Sequence, residues 1–496
     1  YPASAQPFAV QSAPLSTMED LARSVVETNP EIAAQREQVR IAKARMHAAQ
    51  AGYLPTVEAS GLVQKREIDI KNGGPGDSRF VAAQGSVEAR VRVYDGDRTY
   101  NAVQIAKTEL AAAEAALTAL TSDVLLELLT AAADVHTNRQ IKQFSESQSD
   151  AVAEQLRATA RRLEFGEATR TDEDLAKARL ATSQAGILAA TEELNVSGNR
   201  FRSISGQSAT VVPPLPALIP LPRSVTSAQE AATEDSPRLQ VARLNVEASK
   251  KGINFAKGAL FPQLDAVGGY EYLTGGVANL FTGKLPNDRS ALFGGIELRV
   301  PVFQPREYAE IRRARAVRDQ RIAQTEFAER TVSEEVSTSW TRWQSAIGTI
   351  AAAEAAVSAI AQAAEGIKKE SIGGNRTLVD VLNAQSELLS ARITLERAKR
   401  NEFVARAGVL AATGNLTADS VLASPDRSST SPSLRPTASQ LGAVAVRPTG
   451  NGILTPAVLD PQMPAVSSNF SDRPDPASNS NRPEVSALGI KRKTSK

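Results

Sequence analysis

The chain has 496 residues, a formal net charge of +2 and no cysteine. The near-zero charge excludes a protein that binds nucleic acid through a strongly basic surface. The lack of cysteine excludes disulfides, thiolate metal sites and a cysteine nucleophile. Aromatic residues make up only 4% of the chain, and the abundance of alanine favours long helices packed at close range.

No run of 18 apolar residues is present, so no transmembrane helix is expected. The sequence begins at Tyr1 rather than Met, which is expected of a processed product.

The sequence repeats itself. Asn29 to Gly61 aligns without a gap on Ser236 to Gly268, and Gly166 to Gly206 aligns without a gap on Gly374 to Gly414. The period of roughly 200 residues is too long for a solenoid, whose repeats span about 20–50 residues. The sequence therefore predicts two similar halves. The predicted segments are a flexible start (1–17), a first half (18–206), a proline-rich linker (207–223), a second half (224–414) and a Pro/Ser-rich disordered tail (415–496).

Each half begins with a helix and a pair of strands. Helical periodicity runs from Met18 through Tyr53, with Asn29 and Pro30 placed as a cap and a first-turn proline. Alternation of apolar and polar residues then predicts strands at 54–70, 80–93, 260–273 and 290–302. Glycine-rich segments at 72–76 and 274–288 separate the strands of each pair. The charged positions of the alternation are Glu88, Arg90, Arg92, Glu297 and Arg299.

A very long helix follows each strand pair. Residues 97–163 and 306–370 contain no proline, and at 1.5 Å per residue each spans on the order of 100 Å. Glycine turns then lead into shorter helices that return over 171–205 and 378–413. We expect these helices to pack against one another, because a helix of this length has too little neighbouring chain to be buried in a globule.

The four strands leave two interpretations open. Four strands cannot close into a barrel, and an open edge is not tolerated in lipid. Several copies of the chain would solve this by pooling their strands, with the apolar face toward lipid and the charged face toward a water-filled lumen. The second interpretation is a soluble sheet with one face exposed to water, which would show the same alternation of apolar and polar residues.

A motif in the second half narrows the choice. Four segments resemble the TolC-like outer-membrane factors. They are the run from Gly374 to Ala384, the matching run from Gly166 to Ala176, Asn29-Pro30, and Tyr53-Leu54-Pro55. The resemblance covers about Met18 to Leu416. It implies an α+β membrane protein with a duplicated helix-strand-strand-long helix-helix architecture. It also implies a homotrimer, in which a twelve-stranded outer-membrane β-barrel continues into a long periplasmic α-helical barrel.

The function that the resemblance implies is a passive exit duct in the outer membrane of a Gram-negative bacterium, extending into the periplasm. A periplasmic adaptor and an inner-membrane ABC or proton-driven transporter would dock at the helix turns. The run from Arg376 to Arg392 favours type I protein secretion. Small-molecule efflux through the same fold is the alternative, and a non-membrane coiled-coil scaffold is a further one.

The candidate gate lies at the two helix turns. Asp172 and Asp380 occupy matching positions near the start of the returning helices, where a carboxylate either caps the helix or, repeated around a three-fold axis, forms an acidic ring. Relatives often carry an Asp where this chain has Asn383, so a doubled acidic ring is not expected. Arg376 and Arg170 are candidates for ion pairs that hold the turns closed, or for solvated surface charges.

The turns themselves are candidate adaptor contacts, because glycine permits close approach of a backbone. The alternative is that these are only turn residues. The residues are Gly166, Thr169, Gly373, Gly374 and Thr377. No catalytic residue set, metal site or cofactor motif is present in the sequence, and we expect neither an enzyme nor a nucleic-acid partner.

Overall fold

The computed structural model describes residues 17–68, 78–274 and 289–417. All of them belong to the first of two units into which the chain divides, Tyr1–Thr430. The predicted hairpin turn at 72–76, nearly all of the segments 1–17 and 274–288, and the tail from residue 418 onward lie outside the described residues.

The described residues form eight α-helices and four β-strands, in the duplicated order that the sequence predicts. The helices are α1 (Met18–Thr28), α2 (Pro30–Gln50), α3 (Arg98–Glu164), α4 (Arg170–Ser205), α5 (Val225–Asp235), α6 (Pro237–Gly258), α7 (Pro305–Ile372) and α8 (Leu378–Ala412). The strands are β1 (Thr56–Ile68), β2 (Ser78–Tyr94), β3 (Gln263–Thr274) and β4 (Arg289–Arg299).

Two element bounds show how proline shapes the chain. The helical periodicity from Met18 to Tyr53 is split at Asn29, whose Oδ1 accepts hydrogen bonds from the backbone N–H groups of Glu31 and Ile32. The predicted strand at 290–302 is too long, since β4 ends at Arg299. Pro301 has no N–H to donate to a neighbouring strand and disfavours regular pairing at this point.

The shorter helices stack end to end beside the long ones. Asn29 Nδ2 donates to the Ile204 carbonyl oxygen across 3.2 Å, so α2 begins where α4 ends. In the second half the end of α8 meets the start of α6, and a Cβ added to Gly414 would lie 2.7 Å from the Asp235 carbonyl oxygen. Helix α3 contacts α2, α4, α6 and α8, whereas α7 contacts α5, α6 and α8.

The strands form one antiparallel sheet in the order β1-β2-β3-β4, with β1 and β4 at its edges. In the register, Val87 lies opposite Ala59 and Tyr270, and Tyr270 lies opposite Leu292. The apolar positions of all four strands therefore share one face. That face is exposed, as shown by Leu292 at 85% and Ile296 at 74%.

The main hydrophobic core lies midway along the helices. It packs α1, the middle of α3, the end of α4 and the end of α8 around the linker, which runs without regular secondary structure from Val212. His136 Nε2 donates to the Pro213 carbonyl oxygen (2.8 Å), and Arg406 Nη2 donates to the carbonyl oxygens of Leu218 and Ile219 (2.8 and 3.2 Å). We call this region the belt.

Two helices, α3 and α7, each contain an 18-residue stretch with a mean hydropathy of 1.4, which by length and composition alone is enough to cross a membrane. Helices of a protein core pass the same test, so the expectation that no helix crosses the membrane stays a prediction. Alanine-rich stretches such as 351–364 raise the mean hydropathy without forming an uninterrupted run of apolar residues.

Candidate functional site

The turn between α3 and α4 is built by a glycine and a capping threonine. Gly166 has φ +78°, and the backbone N–H groups of Gly166 and Glu167 bond to the carbonyl oxygens of Leu163 and Arg162. This Schellman pattern ends α3. Thr169 Oγ1 accepts from the Asp172 N–H (3.1 Å), while Asp172 Oδ2 accepts from the Thr169 N–H (3.0 Å), which starts α4.

The turn between α7 and α8 repeats this construction. Gly374 has φ +82°, and the Asn375 N–H bonds to the Glu370 carbonyl oxygen. Thr377 Oγ1 accepts from the Asp380 N–H (3.2 Å), and Asp380 Oδ2 accepts from the Thr377 N–H (3.1 Å) and hydroxyl (2.8 Å). Both aspartates therefore cap helices. Whether they also form a ring around an axis stays a prediction.

The capping bonds keep both carboxylates ionised. Hydrogen bonds from Thr169, first from its backbone N–H and then from its hydroxyl, hold the pKa of Asp172 below its ordinary value. The Thr377 hydroxyl and backbone N–H lower the pKa of Asp380 in the same way, with a smaller contribution from the charge of Arg376. Each turn thus carries a fixed negative charge at neutral pH.

The arginines of the two turns differ. Arg376 Nε lies 2.8 Å from Glu370 Oε2, and this ion pair joins the end of α7 to the start of α8. Arg170 is exposed, and among the residues that the structure describes it has no ion-pair partner. Asn383 accepts a hydrogen bond at its Oδ1 from Arg179 Nη2 of α4, across 3.1 Å.

A second polar site lies on the charged face of the sheet. Arg90 lies 2.9 Å from Glu88 and 2.7 Å from Glu297, and it also contacts Asp265 at 3.4 Å. Arg92 approaches the same Asp265, and Arg299 pairs with Glu297. All five predicted lumen residues thus lie on one face, and Arg90 joins strands from both halves.

Sequence reasoning missed three residues of these sites. Asp265, whose side chain is only 4% exposed, follows the polar alternation of β3 and could have been found from it. Glu370 lies near the end of a long helix, where nothing in the sequence distinguishes it from other surface charges. Arg179 is brought to Asn383 only by the packing of the two halves, for which the sequence carries no local signal.

Comparisons with known proteins agree with this architecture. The family described as "Outer membrane efflux protein" matches the chain twice, at residues 21–207 and 229–415. The outer membrane efflux protein BepC of Brucella suis biovar 1 (strain 1330) is 27% identical over 403 residues, covering 79% of this chain and 84% of BepC.

Solved structures have the same fold. The outer membrane protein VceC of Vibrio cholerae superposes with a TM-score of 0.67 at 20% identity, covering 79% of this chain and 95% of VceC. The CmeC outer membrane channel of Campylobacter jejuni superposes with a TM-score of 0.69 at 13% identity, covering 80% and 85%.

A sheet with one exposed apolar face, continued by paired helical hairpins that end in charged turns, together with these matches places the chain in the class of outer-membrane channel proteins. The chain belongs to the outer membrane efflux protein family, as the two matched halves show. It is located in the Gram-negative outer membrane and extends into the periplasm. Its family provides the outer-membrane channel of tripartite efflux systems and is not a family of enzymes.

Proposed function

We propose that three copies of this chain form one continuous exit duct. The observation that carries the proposal is the sheet, which exposes apolar side chains on one face and has β1 and β4 as its edges. Unpaired strand edges are not tolerated in lipid. Three copies would join β4 of each chain to β1 of the next, and twelve strands leave room for a lumen. The charged face around Arg90 would then line the water-filled interior.

The helices favour the same assembly. The helix order places α7 on one flank of the chain and the stacked α2 and α4 on the other. Large apolar side chains of α7 are exposed, including Phe327 at 72% and Ile347 at 45%. Contact between α7 and the α2–α4 flank of the next copy would bury them and would continue the barrel as a tunnel of twelve helix rows.

The turns would close the far end of this tunnel. Three copies of Asp380 and Arg376 around one axis would form a narrow charged ring, and such a ring favours cations and resists tight closure. An adaptor docking at the turns, at Gly166, Thr169, Gly373, Gly374 and Thr377, would shift the population toward the open state. The duct itself is passive, and an inner-membrane ABC or proton-driven transporter supplies the energy.

Type I protein secretion is the cargo class that we favour, because the run from Arg376 to Arg392 most resembles relatives with that role. The names of the family and of BepC favour the second candidate, small-molecule efflux. Deletion of the gene for this chain in its host distinguishes secretion from efflux. Loss of a secreted protein with unchanged drug tolerance supports secretion, whereas increased drug sensitivity with intact secretion supports efflux.

Planar-bilayer recording tests the duct and its gate. We expect the wild-type protein to insert as a channel of low conductance, Arg376→Ala to raise that conductance, and Asp380→Asn to reduce the selectivity for cations. Lys369→Ala is the matched control, since Lys369 pairs within α7 with Glu365 rather than across the turn. Equal conductance in all four proteins would contradict the gate, and failure to form any channel would contradict the duct.

A further inference from the structure

Two ion pairs beside the belt join the helices of the two halves, and both have the same polarity. Arg400 Nε of α8 lies 2.7 Å from Asp134 Oδ1 of α3. Arg238 Nη2 of α6 lies 2.8 Å from Asp123 Oδ1 of α3. In each pair the first half of the chain supplies the carboxylate and the second half supplies the arginine. We call such a contact between successive halves a seam.

The internal repeat assigns each of these residues a counterpart in the other half. Helices α4 and α8 align without a gap, with the offset that relates the glycine turns at 166 and 374. The same offset matches Val124 and Leu128 of α3 with Val332 and Val336 of α7, and all four side chains are buried at 4% exposure or less. Residues of α3 and α7 at this level can therefore be matched one to one.

The counterparts of the first pair have the opposite arrangement of charge. Arg400 corresponds to Glu192 of α4, and Asp134 corresponds to Arg342 of α7. Glu192 and Arg342 are both exposed, and neither has an ion-pair partner among the residues that the structure describes. They do not meet within one chain, because α4 and α7 lie on opposite flanks.

A ring of copies would bring the two flanks together. Because the halves are duplicates, α4 of one copy would pack on α7 of the next copy as α8 packs on α3 within the chain. Glu192 would then lie opposite Arg342 of the next copy, where Arg400 meets Asp134 in the seam within the chain. Each seam still combines one long arginine side chain with one carboxylate, so the reversed pair fits a similar helix spacing.

The second pair shows the same reversal. The first helices of the two halves align so that Arg238 corresponds to Glu31 at the start of α2. Arg238 lines a groove together with Ser122 of α3, and the counterpart of Ser122 is Arg330 of α7. Glu31 and Arg330 are exposed, and no ion pair within the described part of the chain involves either of them. Contact with the next copy would bring these two charges into the same groove.

We propose that these charges make the two halves alternate around the ring, by pairing the exposed acidic flank of one copy with the exposed basic flank of the next. The first half supplies carboxylates to both of its seams, and the second half supplies arginines to both. Contact between two first halves would place Glu192 against Asp134, and contact between two second halves would place Arg342 against Arg400. Such like-charge contacts select against wrong partners. The partner is a second copy of this chain, so the inference rests on the proposed duct.

Cross-linking tests the contact between copies directly. Because the chain has no cysteine, Glu192→Cys with Arg342→Cys supplies the only reactive pair. A short bis-maleimide should link neighbouring chains and give bands of two and three chains on a denaturing gel. Asp134→Cys with Arg400→Cys is the matched control, since the same reagent should link this pair within one chain and leave monomer mobility. Arg342→Cys alone should give no dimer, because two second halves do not meet.

Charge reversal tests the selection of partners. Arg342→Glu and Glu192→Arg should each accelerate the exchange of differently tagged subunits between complexes in detergent roughly ten-fold, because a departing chain breaks two seams and an exposed ion pair contributes a few-fold to each. The double variant restores opposite charges at every seam and should exchange as slowly as the wild type. Lys369→Glu is the matched control, since it reverses a charge on α7 whose partner, Glu365, lies in the same helix.

The possible failures of this inference and of the duct are distinguishable. Monomer mobility of Glu192→Cys with Arg342→Cys after complete modification, dimers of Arg342→Cys alone, or a double reversal that exchanges no more slowly than the single variants would each overturn the pairing of flanks. If the wild type is still a complex of three chains in these experiments, the duct stands. A wild type that is monomeric in detergent would overturn both the pairing and the duct.

Discussion

The belt and the helix turns are held together by different forces, although the same helices run through both. In the belt, Leu125, Leu128 and Phe201 are fully buried at 0% exposure around the linker. At the turns, Phe165 and Ile372 are exposed at 79% and 76%, and apolar burial begins only inside the helices, at residues such as Val381 (2%). The turn residues themselves are held by capping bonds. Burial of apolar surface dominates folding energetics, so the belt is expected to be rigid.

The difference between the belt and the turns indicates which part of the molecule can move. Regions with few buried apolar contacts open locally at low free energy, and moving elements are drawn from such regions. A gate at the turns can therefore open without disturbing the belt, which keeps the two halves of the chain aligned. Four changes test this contrast, in order of decreasing expected effect.

Truncation of a buried side chain in the belt should have the largest effect on stability. Phe201→Ala removes a fully buried ring and should destabilise the protein by about 3–5 kcal/mol, because the removed atoms leave a cavity. Thermal denaturation in detergent, followed by circular dichroism, measures the change. Glu192→Ala, an exposed position on the same helix, should change stability by less than about 0.5 kcal/mol. Equal effects of the two variants would refute a belt-centred core.

Loss of the Arg400–Asp134 ion pair should have an intermediate effect. Arg400→Ala leaves the largely buried Asp134 carboxylate without its partner, which should cost about 1–3 kcal/mol. Adding Asp134→Ala should recover part of this loss, since no unpaired charge then remains. Chemical denaturation of the two variants and the wild type gives the comparison. If the double variant were less stable than Arg400→Ala, desolvation of the unpaired charge would not be the cause.

Substitution of a turn glycine should have a smaller effect on stability, and the effect should depend on which of the two glycines is replaced. Gly374→Ala places a Cβ at φ +82°, a conformation that costs about 1–2 kcal/mol for a residue with a side chain. Gly373→Ala is the control, because Gly373 has φ −76° and its added Cβ would make only ordinary contacts. Hydrogen exchange of the α7–α8 turn should accelerate in the first variant only. Acceleration in both would indicate crowding rather than backbone conformation.

Acidification should have the smallest of the four effects. The pKa values of Asp172 and Asp380 are lowered by their capping bonds, so the folded state binds fewer protons than the unfolded state. Their contribution to stability is complete above the ordinary aspartate pKa of about 4 and is lost as pH falls through the lower folded values. The first turns of α4 and α8 should then fray.

Pulse labelling of amides at a fixed pH, after equilibration at neutral and acidic pH, measures this fraying. Thr377→Val removes the hydroxyl bonds of the α8 capping box, but the Thr377 backbone N–H bond to Asp380 remains. The variant should therefore weaken the pH response of α8 while leaving that of α4 intact. A response that is unchanged in this variant would show that another group titrates.

The structural features that depend on local sequence pattern could be predicted from the sequence. Alternation predicts one apolar face for the strands, and the register of the sheet, which places Val87, Tyr270 and Leu292 side by side, confirms it. Contacts between the halves follow from packing over long chain separations, so Arg179 with Asn383 and Arg90 with Asp265 could not be paired in advance. The end of β4 was misplaced because the alternation continues through Pro301, although the backbone pairing does not.

The mass of the purified protein in detergent, measured by native mass spectrometry, tests the central claim most directly. A sheet with two open edges requires partners in lipid, so we predict a complex of three chains of 52.6 kDa each. A stable complex of one chain that inserts into lipid and conducts would contradict it, because a single four-stranded sheet would then have to span the membrane alone.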